Sequence, residues 1–246
     1  MHALASAITP EVAELARQNA PQERRQKAVA ILPIRGALEP RHSPFGVLFG
    51  MTSTEAIGQA FDKLVSDDSV GSIVLDIASP GGMVYGVPEL TAKIFAARGS
   101  KPIISVANPM AASGGYWIAA AADRVIASPS ADVGSVGVIV SRFDTSAQME
   151  REGVKETVVR SAGSPFKGEF VESEPLTDEG KQHLQGRADQ IFEQFAGDLA
   201  KFRGVSVDYV RERFGKGRLV DSASAIGSNA VCAAASDCGS CPASRS

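Results

Sequence analysis

The chain has 246 residues, 44% of them hydrophobic, with a mean hydropathy of 0.00, a formal net charge of −3 and a pI near 5.7. That is enough apolar content for the core of one domain with tails, and the mildly acidic balance excludes nucleic acid or an anionic membrane surface as the main partner. No apolar run approaches the roughly 20 residues that span a bilayer, and Cys232, Cys238 and Cys241 crowd into the final tail with no histidine beside them. Neither a stable membrane anchor, a secreted disulfide framework nor a metal site is expected, and a cytoplasmic location follows.

In chain order, residues 1–27 read as an N-terminal extension with a charged helix over Pro10–Gln18, and residues 28–227 as the main domain. The domain opens with a strand at Ala28–Ile34 and a loop, Gly36–Met51, rich in Pro, Gly, His and Phe. A helix starting at Thr52 and Ser53 runs through Ser66, with Glu55 placed where a helix favours a carboxylate. Ile73–Ile77 is apolar and β-branched, as a buried parallel strand requires, and Ser79, Pro80, Gly81 and Gly82 end it in a turn. A helix over Val84–Arg98 and a strand over Pro102–Val106 lead to the segment Asn108–Asp123, which sets Ser113 on a tight turn before a helix of small residues. Strands are predicted at Arg124–Ala127 and Val136–Val140, a helix at Asp144–Glu152, and a β-rich stretch at Thr157–Arg160 before a Gly/Ser/Pro loop holding Lys167. Leu176, Leu184, Ile191, Phe195 and Leu199 recur at helical spacing, so one long amphipathic helix is expected, its stripe facing the core or a second subunit. SVDYVRERFG gives a short helix capped by Gly215, and residues 228–246 have the composition of a disordered tail.

Two consecutive strand–turn–helix units place Gly82 and Ser113 at the same edge of one sheet, where sites in α/β folds collect. Ser113 is either the N-cap of its helix or a nucleophile whose neighbouring free N–H groups hold an oxyanion; the sequence weighs these equally. A base for it is not an obvious histidine: His2 is terminal, His42 lies in a polar loop and His183 falls on a solvated helix face. What remains is a lysine held neutral. Lys167, between Phe166 and Gly168, is a candidate, though a loop lysine is ordinarily a solvated charge. Met83, Val84 and Tyr85 after the Gly-Gly turn line an apolar subsite or pack the core, and Tyr116 and Trp117 are assigned to packing.

The SPGG turn, the AASGGYW segment, the ADVGSVGVI segment and the loop around Lys167 occur in the order and with the spacing of one family. Over Ala28–Gly227 the chain resembles the signal peptide peptidase A serine peptidases, and within them the phage capsid-maturation proteases of the protein C type. The resemblance implies an α/β fold of the ClpP/crotonase type, a spiral of strand-strand-helix units. It implies Ser113 as nucleophile, Lys167 as general base, and the N–H groups of Gly82 and Gly114 as oxyanion hole. Gly81 and Met83 are then the expected substrate-binding residues, and no cofactor is required. The expected partners are protein or peptide substrates such as phage scaffold or portal proteins, with a homo-oligomeric ring or dome, possible placement inside a procapsid, and no nucleic acid. A housekeeping peptidase degrading signal peptides is the alternative. From other classes, an acyl-CoA hydratase or isomerase shares the fold but works with carboxylates, and a non-catalytic head assembly protein would carry the site as a relic. The family usually has an acidic residue where this chain has Ala78, and its last strand closes differently from SNAVCAAASDC.

Overall fold

The computed structural model describes residues 27–234. The helix expected over Pro10–Gln18, His2, Cys238 and Cys241 lie outside the described residues. The chain runs β1 (Ala28–Arg35), β2 (Leu38–Glu39), α1 (Pro44–Leu48), β3 (Thr52–Ser53), α2 (Thr54–Ser66), β4 (Val70–Ser79), α3 (Val87–Ala96), β5 (Ile103–Ala112) and α4 (Gly114–Ala120). It continues through β6 (Arg124–Ala127), β7 (Asp132–Gly134), α5 (Ser146–Arg151), α6 (Asp178–Arg203), α7 (Val207–Arg213), β8 (Leu219–Asp221), α8 (Ser222–Gly227) and β9 (Ala233–Ala234).

Strands β1, β4, β5, β6 and β9 lie in that order and pair in parallel. Parallel neighbours need a crossover between them, and α2, α3 and α4 fall between the strands they join. This is the expected α/β class, a parallel sheet wound through helices as in the ClpP/crotonase-like spiral. In β4 the residues Ile73, Leu75, Ile77 and Ser79 alternate inward and are fully buried, the period-two pattern of a strand. Behind the sheet, every residue of α4 is buried. Trp117 from α4 stacks on Phe195 of α6 with ring centroids 4.3 Å apart and planes 12° from parallel, and its indole N–H donates to Asp198 at 3.0 Å.

Four expectations need correction. The strand read as Pro102–Val106 continues to Ala112, because β5 changes neighbours along its length: Ile104–Ala107 pair with β6 and Met110–Ala112 with β7. Asn108 and Pro109 have no register partner at that change, so the missing proline N–H costs no ladder bond there. Val136–Val140 and Thr157–Arg160 form no strand. Their β-branched residues favour a pleated surface only where a neighbouring strand supplies hydrogen bonds; here Val136 packs into the core, whereas Ile139 and Val159 face solvent, 93% and 88% exposed. Between Ser135 and Leu176 the only regular element is α5. Finally, residues 228–234, expected to begin a disordered tail, belong to the fold: Ala230 and Val231 are buried, the Cys232 N–H donates to the Val125 carbonyl at 2.8 Å, and β9 extends the sheet beside β6.

Candidate active site

Ser79 is the last residue of β4, and its buried hydroxyl donates to the Gly36 carbonyl at 2.7 Å and accepts from the Gly81 N–H at 3.2 Å. This anchors the Pro80-Gly81-Gly82 turn. Gly82 has φ +155°, and a Cβ there would stand 2.3 Å from the Leu38 carbonyl oxygen. Gly81 has φ +90°, and a Cβ would stand 2.7 Å from Ser113 Cβ. Only glycine lets this turn lie against both β2 and the serine.

Ser113 follows the last residue of β5 with φ +50° and ψ −122°, a conformation that costs a non-glycine residue about 1–3 kcal/mol and is kept where the surroundings over-determine it. Those surroundings are specific. Its N–H donates to the Gly134 carbonyl of β7 at 2.8 Å, and its carbonyl accepts from the Trp117 N–H at 2.9 Å. The hydroxyl makes no capping bond and has no hydrogen-bond partner among the described residues, so the N-cap role is not taken up. Strained strand-to-helix turns of this kind push a side chain out of the backbone and expose its oxygen. The N–H groups of Gly82 and Gly114 likewise enter none of the ladder, turn or capping bonds of the described residues. Two free donors therefore flank one free hydroxyl.

All three residues open onto a cavity of about 780 Å³. Met83 lines it, together with Tyr85, Val138 and Ile191. Gly81 does not line it: its N–H is held by Ser79, its carbonyl accepts from the Leu38 N–H at 2.8 Å, and it contributes room for Ser113 in place of a contact to a ligand. Trp117 packs the core as expected and also forms part of the cavity wall, as does Phe195. The long helix thus divides its stripe: Phe195 and Leu199 are buried, whereas Leu184 and Ile191 remain half-buried at the cavity.

Lys167 is not brought to Ser113 in the single chain. It is exposed in a turn over residues 165–170, where its N–H donates to the Ser164 carbonyl at 3.1 Å and its own carbonyl accepts from Arg160 Nε at 2.8 Å. No lysine, histidine, aspartate or glutamate lines the cavity. His183 is bound to Glu169 at 2.6 Å, and His42 lies 3.8 Å from Glu39. One charged residue at the cavity is absent from the sequence reading, Arg187. Its position three residues after Leu184 and four before Ile191 on one helix face is the signal that could have found it.

The burial of α4 has an electrostatic mark. The Tyr116 hydroxyl is fully enclosed and donates to the Ala230 carbonyl at 2.8 Å, and burial pushes its pKa well above that of free tyrosine. Burial also raises the Asp198 carboxyl above its ordinary value, against the smaller opposing effects of the Trp117 hydrogen bond and the Lys201 charge.

With the site described, its relatives can be compared. The chain is 32% identical over 182 residues to capsid assembly protease C of Escherichia phage lambda, covering 74% of this chain and 41% of that protein. It is 28% identical over 165 residues to a putative signal peptide peptidase SppA of Enterococcus faecium, covering 67% of this chain and 47% of that one. The chain therefore spans less than half the length of these curated relatives. Among solved structures, a membrane-bound stomatin-specific protease in complex with a substrate peptide superposes with a TM-score of 0.53 at 16% identity, over 86% of this chain and 76% of the other, a likeness of fold. Among the described residues no helix is long and apolar enough to cross a membrane. The model of peptidase family S49 matches residues 96–231, which include the Ser113 turn, the α4 helix and the Lys167 loop, and the chain belongs to that family.

Proposed function

We propose that the chain is a serine endopeptidase using Ser113 and Lys167 as a dyad. The observation that carries this reading is the Ser113 turn, where a strained residue presents a hydroxyl with no partner between two unused N–H donors at the mouth of a large cavity. In this mechanism Ser113 Oγ bonds to the scissile carbonyl carbon while its proton passes to the neutral amine of Lys167. The oxyanion that forms accepts from the Gly82 and Gly114 N–H groups, an interaction worth about 3–4 kcal/mol per donor in other hydrolases. Collapse breaks the C–N bond, the lysine returns the proton to the leaving amine, and water releases the acyl group by the same steps in reverse.

The lysine reaches the serine, in this reading, when several copies assemble into a ring or dome and the segment 135–176 packs against a neighbour. The exposed side chains of Ile139, Phe143, Val159 and Phe166 along that segment support it, since such an apolar row is costly to leave in water. Light scattering is expected to report more than a dimer, and an active monomer would count against it. The similarity to a phage capsid protease favours processing of head proteins such as scaffold or portal within a procapsid. A hydratase reading, which works with carboxylates, finds none lining the cavity.

The direct test is labelling with a fluorophosphonate followed by mass spectrometry. Modification at Ser113, lost in Ser113→Ala, supports the dyad; a protein that stays unlabelled and cuts no peptide rejects it. Co-expression with the neighbouring head genes should give processed bands that vanish with Ser113→Ala.

A further inference from the structure

Leu184, Arg187, Ile191 and Phe195 follow one another at intervals of three and four residues, so they form a single stripe along α6, and all four line the cavity that holds Ser113. Three of them are apolar and belong to a wall continuous with Trp117 and Val87. Arg187 is the exception. It is the one charged side chain on the cavity, and no aspartate or glutamate lines the space to neutralise it. Among the described residues its guanidinium makes a single side-chain bond, Nη1 to Gln190 Oε1 at 2.9 Å, and no ion pair. Most of its N–H donors are therefore unused beside an apolar surface. An arginine kept in that state in an acidic chain is suited to a carboxylate, whose two oxygens match its fork.

Resting on the peptidase reading above, we propose that Arg187 is a specificity-determining residue that selects substrates carrying a carboxylate several residues from the scissile bond, with apolar side chains between. The position follows from helix geometry. Phe195 stacks on Trp117, which lies one helical turn beyond Ser113, so this end of the stripe is close to the nucleophile. Arg187 lies two turns further along α6, about 12 Å at a rise of 1.5 Å per residue. An extended peptide covers that span in roughly three to four residues. Met83, Ile191 and Leu184 offer apolar contacts along the way. Because Arg187 is exposed at the rim, solvent screening limits the discrimination to roughly three- to tenfold.

The carboxylate could belong to an internal Glu or Asp or to a peptide C-terminus, and matched substrates separate these sources. The full chain is incubated with a pool of random decapeptides, cleaved bonds are read by mass spectrometry, and the best substrate is resynthesised with Glu, Gln or Lys at each of the four positions on either side of the cut, and with an acid or amide terminus. The expected result is that kcat/KM favours Glu over Gln about fivefold at one position three or four residues from the cut, or favours the free acid over the amide at that distance. The ratio should fall to about one in Arg187→Gln, persist in Arg187→Lys and turn toward Lys substrates in Arg187→Glu. A parent enzyme that cuts Glu and Gln substrates equally at every position overturns the proposal, as does a preference that survives in Arg187→Gln. The peptidase reading fails separately, through cleavage that is absent or that persists in Ser113→Ala.

Discussion

The turn that carries Ser113 and the loop that carries Lys167 are held in different ways. Ser113 is fixed by bonds to Gly134 and Trp117, by the approach of Gly81, and by a helix buried along its whole length. These contacts come from β7, α4 and the turn that follows β4, so the sheet and its edge set the position of Ser113. Lys167 is held by Ser164 and Arg160, both within a few residues, in a segment whose large apolar side chains face solvent. One half of the proposed dyad is therefore positioned by the fold of a single chain, and the other half lies off the cavity in that chain. A nucleophile needs a fixed trajectory, whereas a base that arrived with a neighbouring surface, as proposed, would tie activity to assembly.

The sharpest way to break this contrast is to remove each reactive group and measure both activity and stability. Ser113→Ala should lower kcat/KM by about a thousandfold or more while leaving the fold intact. Lys167→Arg should be comparably inactive although it keeps the charge, because guanidinium does not give up its proton in this range. Since Lys167 is exposed, Lys167→Ala should change unfolding free energy by no more than about 0.5 kcal/mol in chemical denaturation. Substantial activity in the arginine variant would remove Lys167 from the mechanism.

On the rigid side the expected losses are of stability. Phe195→Ala removes the ring stacked on Trp117 and should cost about 3–5 kcal/mol, seen as a lower denaturant midpoint. Gly82→Ala would force a Cβ to within 2.3 Å of the Leu38 oxygen, so the turn must shift. A cost of about 1–3 kcal/mol is expected, with activity falling further than stability because the proposed oxyanion donor moves with it. A variant as active as the parent would show that this N–H is not used.

The smallest effect concerns pH. Burial raises the Asp198 carboxyl in the folded state, so the folded protein holds that proton more tightly than the unfolded chain. Stability from this site is present below the ordinary carboxylate range, near pH 4, and declines as pH rises through the folded value. Asp198→Asn keeps an acceptor for Trp117 and cannot ionise, so it should gain on the parent as pH increases. Thermal unfolding followed by the fluorescence of Trp117, the single tryptophan, measures this; a difference that is constant with pH would contradict it.

The same division governs what could be read from the residues alone. Strand β4, the glycine turn, the serine turn and the long helix are legible because burial and local backbone demands act on neighbouring positions: Ile73, Leu75 and Ile77 alternate, and Gly81 and Gly82 occupy conformations few other residues accept. The full length of β5 is not legible in the residues, because its far half pairs with a different strand and only the tertiary arrangement shows that change of partners. Val136–Val140 misled in the opposite direction, since β-propensity reports what a residue tolerates and not whether a partner strand exists. The unpaired charge of Arg187 in an apolar wall is likewise a property of the cavity.

The bond from Tyr116 to Ala230 bears on where this fold can be cut. A shortened form ending at Gly227 would keep every sequence motif of the site, yet it would lose β9 and leave a buried phenol without an acceptor three residues beyond the nucleophile. Such an orphaned group costs about 1–3 kcal/mol. The helix behind Ser113 is thus latched by residues more than a hundred positions downstream, and a cut that spares the latch has to fall past the last recognisable motif.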